Sequence, residues 1–211
     1  MNEAQKVSAY ISSLPDWQLV PVDQPYGHMG ATLTDAVLQA GVSYKTVVEP
    51  RVNRLLQQHP EATTTSVFGE LLDREGAPCL LQWNGAKKIA TLKQLIALLR
   101  RKRIETEDDL RVWLESPQNL QSLQSISGIK DKTAHYLQIL VGIQGIAVDR
   151  HLSNFLAMAG VPCRTYDEAR RVIHETAILL GIDPSDLDHS VWRYMSKRQA
   201  ALPLALCAKT L

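Results

Sequence analysis

The 211-residue sequence predicts an all-α fold, and three observations support this class. Apolar residues recur with the helical period in one segment after another, whereas alternating strand patterns are scarce. Helix start signals are also frequent: Thr106 stands before three acidic residues, and Asp183 directly precedes Pro184. We therefore expect about ten or eleven helices and no sheet.

In the first half of the chain, amphipathic helices alternate with turn residues. A first helix over residues 2–13 ends before Pro15, and Pro21, Pro25 and Gly27 mark an irregular linker. The next helices are expected over roughly residues 30–41, 44–58, 63–73 and 86–101. In the last of these, one face is apolar and the opposite face carries the lysines.

The second half predicts shorter helices that follow clear start and stop signals. One begins after Thr106 and ends near Ser116, and a second contains Leu120 and Leu123. The turn SISGIKD leads into a helix over about 131–141, and another helix follows Asp149. The last two are expected over 165–180, ended by Gly181, and from Asp183 onward.

Composition limits the class of protein without naming a partner. The hydrophobic content of 45% is enough for one sizeable core or for one domain with two lobes. The net charge is only +1, but basic residues are concentrated between 87 and 103. That run is either a solvated helix face or a phosphate-binding surface, and charge alone leaves both open.

The cysteines and the apolar segments exclude several other classes. Cys79, Cys163 and Cys207 are far apart and show no CxxC spacing, so no disulfide framework, zinc site or four-cysteine iron–sulfur site is expected. This usage fits a reducing cytoplasm. No signal-peptide pattern opens the chain, and no apolar run reaches the roughly 18 residues of a membrane span. The segment LPLALCA is too short and is interpreted as packing or a disordered tail.

The segment LQSISGIKDKTAHYLQIL has the form of two helices joined by a short glycine-containing hairpin. Free amides at the start of the second helix, together with the helix dipole, form a seat for a phosphate group. Lys130 and Lys132 add positive charge. Such a seat would bind duplex backbone regardless of base sequence, although a helix–turn–helix of this kind is also a common structural element.

Asp149 follows an apolar run and precedes the segment RHLSNFLAMAG. It is a good N-cap for the next helix, which is a purely structural role. A capping carboxylate near a lysine can also serve nucleophilic chemistry, in which an amine attacks and a carboxylate stabilises the cation that forms. Lys132 is the candidate amine.

GIKDKTA followed by GIAVDRHL resembles the helix-hairpin-helix DNA glycosylases of the endonuclease III superfamily. The family's Lys-Thr-Ala corresponds here to residues 132–134, and its Val-Asp-x-His corresponds to 148–151. The resemblance extends over roughly residues 26–195 and is specific between 121 and 156. It implies two helical lobes with the active site in the cleft between them. The central lobe would cover 29–139, with the helix-hairpin-helix at about 117–143, and the second lobe would combine 1–28 with 140–211.

The resemblance also implies a role for each matching residue. Lys132 would attack the anomeric carbon of the sugar, and Asp149 would stabilise the positive sugar. Amides of Ser127, Gly128, Lys130 and Lys132 would hold a phosphate, with or without a structural monovalent cation at the hairpin. Arg150 and His151 would lie near the DNA strand. The damaged base must leave the stack, because its glycosidic bond cannot be reached inside a duplex.

The sequence departs from the family pattern at three places. Lys130 replaces the second glycine of the hairpin and becomes a rival nucleophile, although we favour Lys132. Gly41 stands where many relatives carry a glutamine that fills the emptied stack, so Gln39 or another loop would take that role. The iron–sulfur ligands are absent, so no cofactor is expected. The cluster-free members include alkyl-base and 8-oxoguanine enzymes, and the Val-Asp-Arg-His form favours the oxoguanine type.

Several side chains are candidates for contact with a flipped base, although each is also explained by ordinary core packing. Asp35 lies in an otherwise apolar helix and is expected on a solvated face, with base reading as the alternative. The candidates for the pocket or for stacking are Gln39, Tyr26, His28, Tyr44, Trp83, His135 and Trp192.

We therefore expect a cytoplasmic, nucleoid-associated monomer that excises a damaged or modified base from double-stranded DNA, with or without lyase activity through Lys132. The modified base could belong to the genome or to phage DNA with modified cytosines. The alternatives are a non-catalytic helix-hairpin-helix DNA-binding protein and a plain helical interaction protein. No membrane partner and no metal are expected.

Overall fold

Helices form the whole of the regular structure in the part of the chain that the structure describes. The structure is a computed structural model that describes residues 1–201, with side chains as far as residue 198. It contains twelve α-helices and one π-helical turn, and no strand occurs within those residues. The all-α prediction is confirmed. Cys207 and the segment LPLALCA lie outside the described residues.

The helix bounds differ in detail from the predicted ones. The segment predicted as one helix over 44–58 begins as a π-helical turn at Tyr44–Val48, and its α-helix starts at Glu49, with Pro50 in the first turn. The five-residue helix at 77–81 has no periodic signal and was not expected. In chain order the helices are α1 (Glu3–Ser13), α2 (Met29–Leu38), α3 (Glu49–Gln58), α4 (Thr65–Glu75), α5 (Ala77–Leu81), α6 (Ala86–Arg101), α7 (Glu107–Leu114), α8 (Pro117–Gln124), α9 (Asp131–Leu140), α10 (Arg150–Met158), α11 (Tyr166–Leu180) and α12 (Pro184–Ala201).

The chain divides into two units. Unit 1 combines Met1–Val22 with the chain from Ile146 onward, and unit 2 is the continuous segment Asp23–Gly145. Each unit has a hydrophobic core of its own.

Unit 2 is organised around α2, in which all ten residues are buried. Helices α3, α4, α6 and α9 pack against α2, and Phe68 and Leu95 are among the fully buried core side chains. The Glu107 carboxylate anchors the start of α2, because it accepts hydrogen bonds from the Gly27 amide at 2.7 Å and from the Thr32 hydroxyl. A helix that is apolar on every side is stable only when neighbours surround it, as they do here.

Unit 1 combines the first helix of the chain with its last three helices. Helix α1 packs against α11, and α10 packs against α12. Phe155 is fully buried in the core of this unit, where its ring lies 5.3 Å from the Tyr10 ring and 5.6 Å from the Trp17 ring. Both aromatic pairs lie within the distances at which rings attract each other.

The helix caps follow the start and stop signals of the sequence. Thr106 and Asp109 form a reciprocal capping box at the start of α7, and Thr165 caps α11. Gly181 ends α11 in the left-handed conformation, with φ of 67°. Within residues 1–201, no helix combines the length and the apolar character that a membrane span requires.

Candidate functional site

Residues 125–130 form the hairpin between α8 and α9, and two buried isoleucines hold it in place. Ile126 and Ile129 point into the core of unit 2, whereas Ser127, Gly128 and Lys130 are exposed. The Ile129 amide donates to the Ile126 carbonyl at 3.0 Å, which closes the turn. The apolar residues therefore fix the hairpin and leave its polar residues at the surface.

Glycine is required at position 128 by the backbone conformation there and by the close approach of Thr91. Its φ is +95°, which L side chains rarely adopt, and a Cβ at this position would lie 2.4 Å from Thr91 Oγ1. Thr91, in the middle of α6, donates from that same oxygen to the Ser127 carbonyl at 2.7 Å. Lys130, in contrast, has an extended backbone with φ of −119°, so a second glycine is not needed there.

The start of α9 has no side-chain cap. Lys130 occupies the N-cap position without a capping hydrogen bond, and the first amide of α9 bonded to a backbone carbonyl is that of Ala134. Among the described residues, no backbone carbonyl accepts from the amides of Ser127, Gly128 or Lys130. Exposed amides at a helix start are suited to an anion, although Asp131 places a carboxylate nearby, where it accepts from Gln124 at 2.7 Å.

The hairpin carbonyls are partly used. Those of Ile126 and Ser127 already accept hydrogen bonds from the Ile129 amide and from Thr91. The hairpin therefore does not present an open ring of carbonyl oxygens by itself. A monovalent cation stays a prediction of the resemblance.

Lys132 is the second residue of α9, and its amine is hydrogen-bonded to a side chain at the end of α2. The side chain is half-buried, and its Nζ donates to the Gln39 side-chain oxygen at the end of α2. Gln39 is buried, and its Nε2 has no acceptor among the described residues. A buried donor without an acceptor costs free energy, so a further acceptor for Gln39 Nε2 would be favourable.

Asp35 lies one turn before Gln39 and was wrongly expected on a solvated face. It is fully buried and accepts hydrogen bonds from Tyr26 at 2.8 Å, from Tyr136 at 3.2 Å and, more weakly, from Tyr44 at 3.4 Å. Burial raises the pKa of Asp35 to about 6, and the tyrosine hydrogen bonds and the charge of Lys132 limit this rise. Burial of Tyr44, and then the charge of Asp35, raise the pKa of Tyr44 to about 12.

A second lysine reaches the same end of α2. Lys88, from α6, donates to the Leu38 carbonyl and, at 2.7 Å, to the Ala40 carbonyl. Its ammonium lies 5.0 Å from the centre of the Trp83 ring. Burial, and then the charge of Lys132, lower the pKa of Lys88. The Trp83 indole N–H is buried and has no acceptor in the described part of the chain.

Asp149 lies in unit 1 and caps α10. Its Oδ1 accepts from the His151 amide at 2.8 Å and from the Leu152 amide at 3.0 Å. Its Oδ2 accepts no hydrogen bond from the described residues, so this oxygen is left for another partner. The Ala147 amide, two residues earlier, donates to Asp188 at 2.8 Å, which fixes the chain that leads into the cap.

The remaining predicted residues are divided between the two units. Gln39, Tyr44 and His135 lie in unit 2, where Gln39 contacts Lys132 and Tyr44 contacts Asp35. Arg150 is exposed at the start of α10, whereas the His151 side chain is buried. Trp192 lies in α12 of unit 1, with its ring 6.0 Å from His189.

Two of the aromatic candidates have clear structural roles. His28 is buried, caps α2 by accepting from the Ala31 amide at 3.0 Å, and contacts the His59 carbonyl at 2.8 Å. Tyr26 is one of the three partners of Asp35.

Lys88 and Tyr136 were not singled out by the sequence. A spacing argument could have found Tyr136, because Lys132 and Tyr136 stand four residues apart on α9 and Asp35 and Gln39 stand four apart on α2. Each pair therefore shares a helix face, and the two faces meet. Nothing local distinguishes Lys88 from the other lysines of α6.

The chain belongs to a family described as a domain of unknown function (DUF8548), which matches residues 3–196. No curated protein and no solved structure matches it. Within residues 1–201, no group of three or more histidine, cysteine or acidic side chains could hold a metal ion.

Proposed function

We propose that this protein is a DNA glycosylase that uses Lys132 as its nucleophile and Asp149 as its catalytic carboxylate. The observation that carries the proposal is the setting of Lys132. Its amine is half-buried and held by Gln39, and it follows directly after a hairpin whose amides are available to a phosphate. Donors that hold a backbone phosphate would place the attached sugar next to this amine, and such positioning favours nucleophilic attack.

The proposed reaction begins with the neutral amine of Lys132. A bond forms between Nζ and C1′ of the sugar while the bond between C1′ and the base nitrogen breaks. The electron pair of the broken bond leaves with the base, which takes up the proton that Nζ loses when it bonds to C1′. The carboxylate of Asp149 stabilises the positive charge on the sugar through Oδ2, because Oδ1 is used by the cap. Opening of the sugar ring then leaves a Schiff base on Lys132, from which strand cleavage can follow.

One buried donor beside Lys132 bears on the kind of base. Gln39 Nε2 has no acceptor among the described residues, so it favours a ligand that offers an acceptor atom. A base with an added carbonyl meets this requirement, in line with the oxoguanine type that the resemblance favours. Oxidised pyrimidines, alkylated bases and modified cytosines of phage DNA are the other substrates to be compared.

We propose duplex DNA as the partner and a monomeric, cytoplasmic, nucleoid-associated enzyme without a cofactor. The hairpin amides and Lys130 would hold one phosphate of the lesion-bearing strand, and Arg150, which is exposed, would act near that strand. Binding through phosphates is independent of base sequence, so specificity would depend on extrusion of the damaged base.

Borohydride trapping on end-labelled duplexes tests the proposal. Each duplex carries one candidate: 8-oxoguanine, thymine glycol, uracil, a methylated purine, glucosylated hydroxymethylcytosine or an abasic site. We expect a trapped protein–DNA band with one lesion in the wild-type protein and with Lys130→Ala, and no band with Lys132→Ala. A band that survives in Lys132→Ala would identify Lys130 or the terminal amine as the nucleophile.

Alkali treatment of the same duplexes distinguishes a monofunctional glycosylase from one that also cleaves the strand. If no band forms but alkali cleaves one lesion duplex, base release occurs by attack of water, and Lys132 contributes only its charge. If neither signal appears with any duplex, the glycosylase proposal fails.

The alternative is a DNA-binding protein without catalysis. One observation favours it: the hairpin amides could bind phosphate without Lys132, whose contact with Gln39 also joins two helices. Asp149→Asn distinguishes the two functions, because it removes base release from an enzyme and leaves duplex binding nearly unchanged in both cases.

A further inference from the structure

The final turn of α2 holds two ammonium groups. Lys88 donates to the carbonyls of Leu38 and Ala40, and Lys132 donates to the side chain of Gln39, which lies between them. Three consecutive residues thus hold lysines from two different helices, α6 and α9. Two like charges held so close together each disfavour the protonated form of the other.

The position of Lys88 is fixed more firmly than that of a surface lysine. Two carbonyls at the end of a helix accept from its amine, and a helix carboxyl end favours a cation. The Trp83 ring adds a cation–π contact at 5.0 Å. These contacts favour the cationic form of Lys88, whereas burial and the charge of Lys132 lower its pKa.

The other titratable groups around the end of α2 differ in their effect. Asp35, on α2, favours the ammonium form of Lys132 when it is ionised. The tyrosines bonded to Asp35 are neutral at pH 7, because burial raises their pKa. Arg51 adds a positive charge beside Trp83, and the further charged or titratable groups near this turn include Asp23 and Glu49, which act on Tyr44, and Asp131 and His135 on α9.

We propose that Lys88 is a positioning residue that holds the end of α2 against Lys132 and, through its fixed positive charge, keeps part of the Lys132 amine unprotonated. This inference rests on the proposed function. Only a neutral amine has the lone pair that forms the bond to C1′. A second cation next to a nucleophilic lysine is an established way to make that lysine reactive near neutral pH.

The charge coupling can be measured without any substrate. Protein labelled with ¹³C at lysine Cε is titrated by NMR, and the Lys132 signal is assigned by its absence in Lys132→Ala. Lys88→Met should raise the Lys132 midpoint by about half a pH unit or more, which lowers the neutral fraction about threefold at neutral pH. Lys87→Met, which removes an exposed lysine from the same helix, should leave the midpoint unchanged.

Two further variants separate charge from structure. Lys88→Arg keeps the cation and should keep the wild-type midpoint, whereas Lys88→Gln keeps a donor for the carbonyls and should behave like Lys88→Met. A Lys132 midpoint that is unchanged or lowered in folded Lys88→Met or Lys88→Gln would overturn the proposal.

The pH dependence of trapping then tests the consequence for reaction. The midpoint of the rate against pH should move upward in Lys88→Met by the same amount as the NMR midpoint, and it should not move in Lys87→Met. If the wild-type protein is trapped on no duplex, the proposal that Lys132 is the nucleophile fails, and the NMR titration still decides whether Lys88 controls Lys132. If trapping occurs with an unmoved midpoint, the role of Lys88 is refuted and the glycosylase stands.

Discussion

The two helices that begin beside the candidate catalytic residues use their first amides in opposite ways. At the start of α10, Asp149 accepts two amides and the helix is capped. At the start of α9, Lys130 supplies no cap, and the hairpin amides stay available. A capped start is more stable by roughly 1 kcal/mol, but the cap occupies amides that an anion would otherwise use. Helix α9 thus lacks this stabilisation and keeps its amides exposed, whereas the cap of α10 fixes the position of a carboxylate.

The largest effect is expected from Asp149→Asn. Asparagine caps a helix about as well as aspartate, so the free energy of unfolding should change by less than about 0.5 kcal/mol. Base release should fall by more than about 100-fold, because the charge that stabilises the sugar cation is lost. Single-turnover base release and urea denaturation measure the two quantities. Equal losses of duplex binding and base release would contradict the catalytic role.

Asp35 is a carboxylate bonded to tyrosine hydroxyls, in contrast to Asp149, which is bonded to backbone amides. Asp35→Asn tests whether its pKa is raised. The pKa of Asp35 is raised to about 6, so the folded protein binds more protons than the unfolded chain between about pH 4 and 6. Ionisation of Asp35 therefore lowers the free energy of unfolding as pH rises through this window, by about 3 kcal/mol in total. We expect the difference between the wild-type protein and Asp35→Asn to show this slope in urea denaturation at a series of pH values. A difference that does not vary between pH 4 and 7 would contradict the raised pKa.

Gly128→Ala tests the hairpin that precedes α9. The new Cβ would meet Thr91 Oγ1, so we expect a loss of about 1–3 kcal/mol in the free energy of unfolding and weaker duplex binding. Gly41→Ala is the matched control, because Gly41 also has a positive φ, of 73°, but open space around its Cβ. The stability difference between the two variants, measured by urea denaturation, isolates the contact with Thr91. Equal losses would show that only backbone strain matters.

The smallest effect is expected from adding a cap to α9. Lys130→Ser and Lys130→Ala remove the same charge, but only serine can accept an amide at this extended position. We expect Lys130→Ser to be more stable than Lys130→Ala by about 1 kcal/mol and to bind duplex DNA more weakly, because its hydroxyl occupies an amide that a phosphate would use. Thermal unfolding and fluorescence anisotropy measure the two changes. Tighter binding by Lys130→Ser would refute the phosphate seat.

Local features of the fold could be predicted from the sequence, and long-range ones could not. The caps at Thr106, Thr165 and Asp149 and the stop at Gly181 depend on residues within one helical turn, so the sequence pattern is sufficient. The burial of Asp35 depends on Tyr136, which lies 101 residues away in the chain, and no local pattern reports that contact.

The same limit applies to the candidate site. The hairpin and Lys132 were found from a contiguous motif, whereas Gln39 and Lys88, which meet at the end of α2, were only partly anticipated. Gln39 was a candidate on the basis of its position near Gly41, and Lys88 was indistinguishable from its neighbours on α6. The contact of Lys88 with the α2 carbonyls spans 48 and 50 residues, so only the packed helices reveal it.

The interrupted course of unit 1 has a consequence for synthesis on the ribosome. Helix α1 is made first, but its packing partner α11 follows only after the whole of Asp23–Gly145 has been translated. The end of α11 at Leu180 lies 167 residues after the end of α1 at Ser13, so at about 5–20 residues per second α1 waits roughly 8–33 s with Val7 and Ile11 exposed. Unit 2 is continuous and can fold during that interval. The unit that contains Lys132 is therefore completely synthesised before α10, the helix that Asp149 caps.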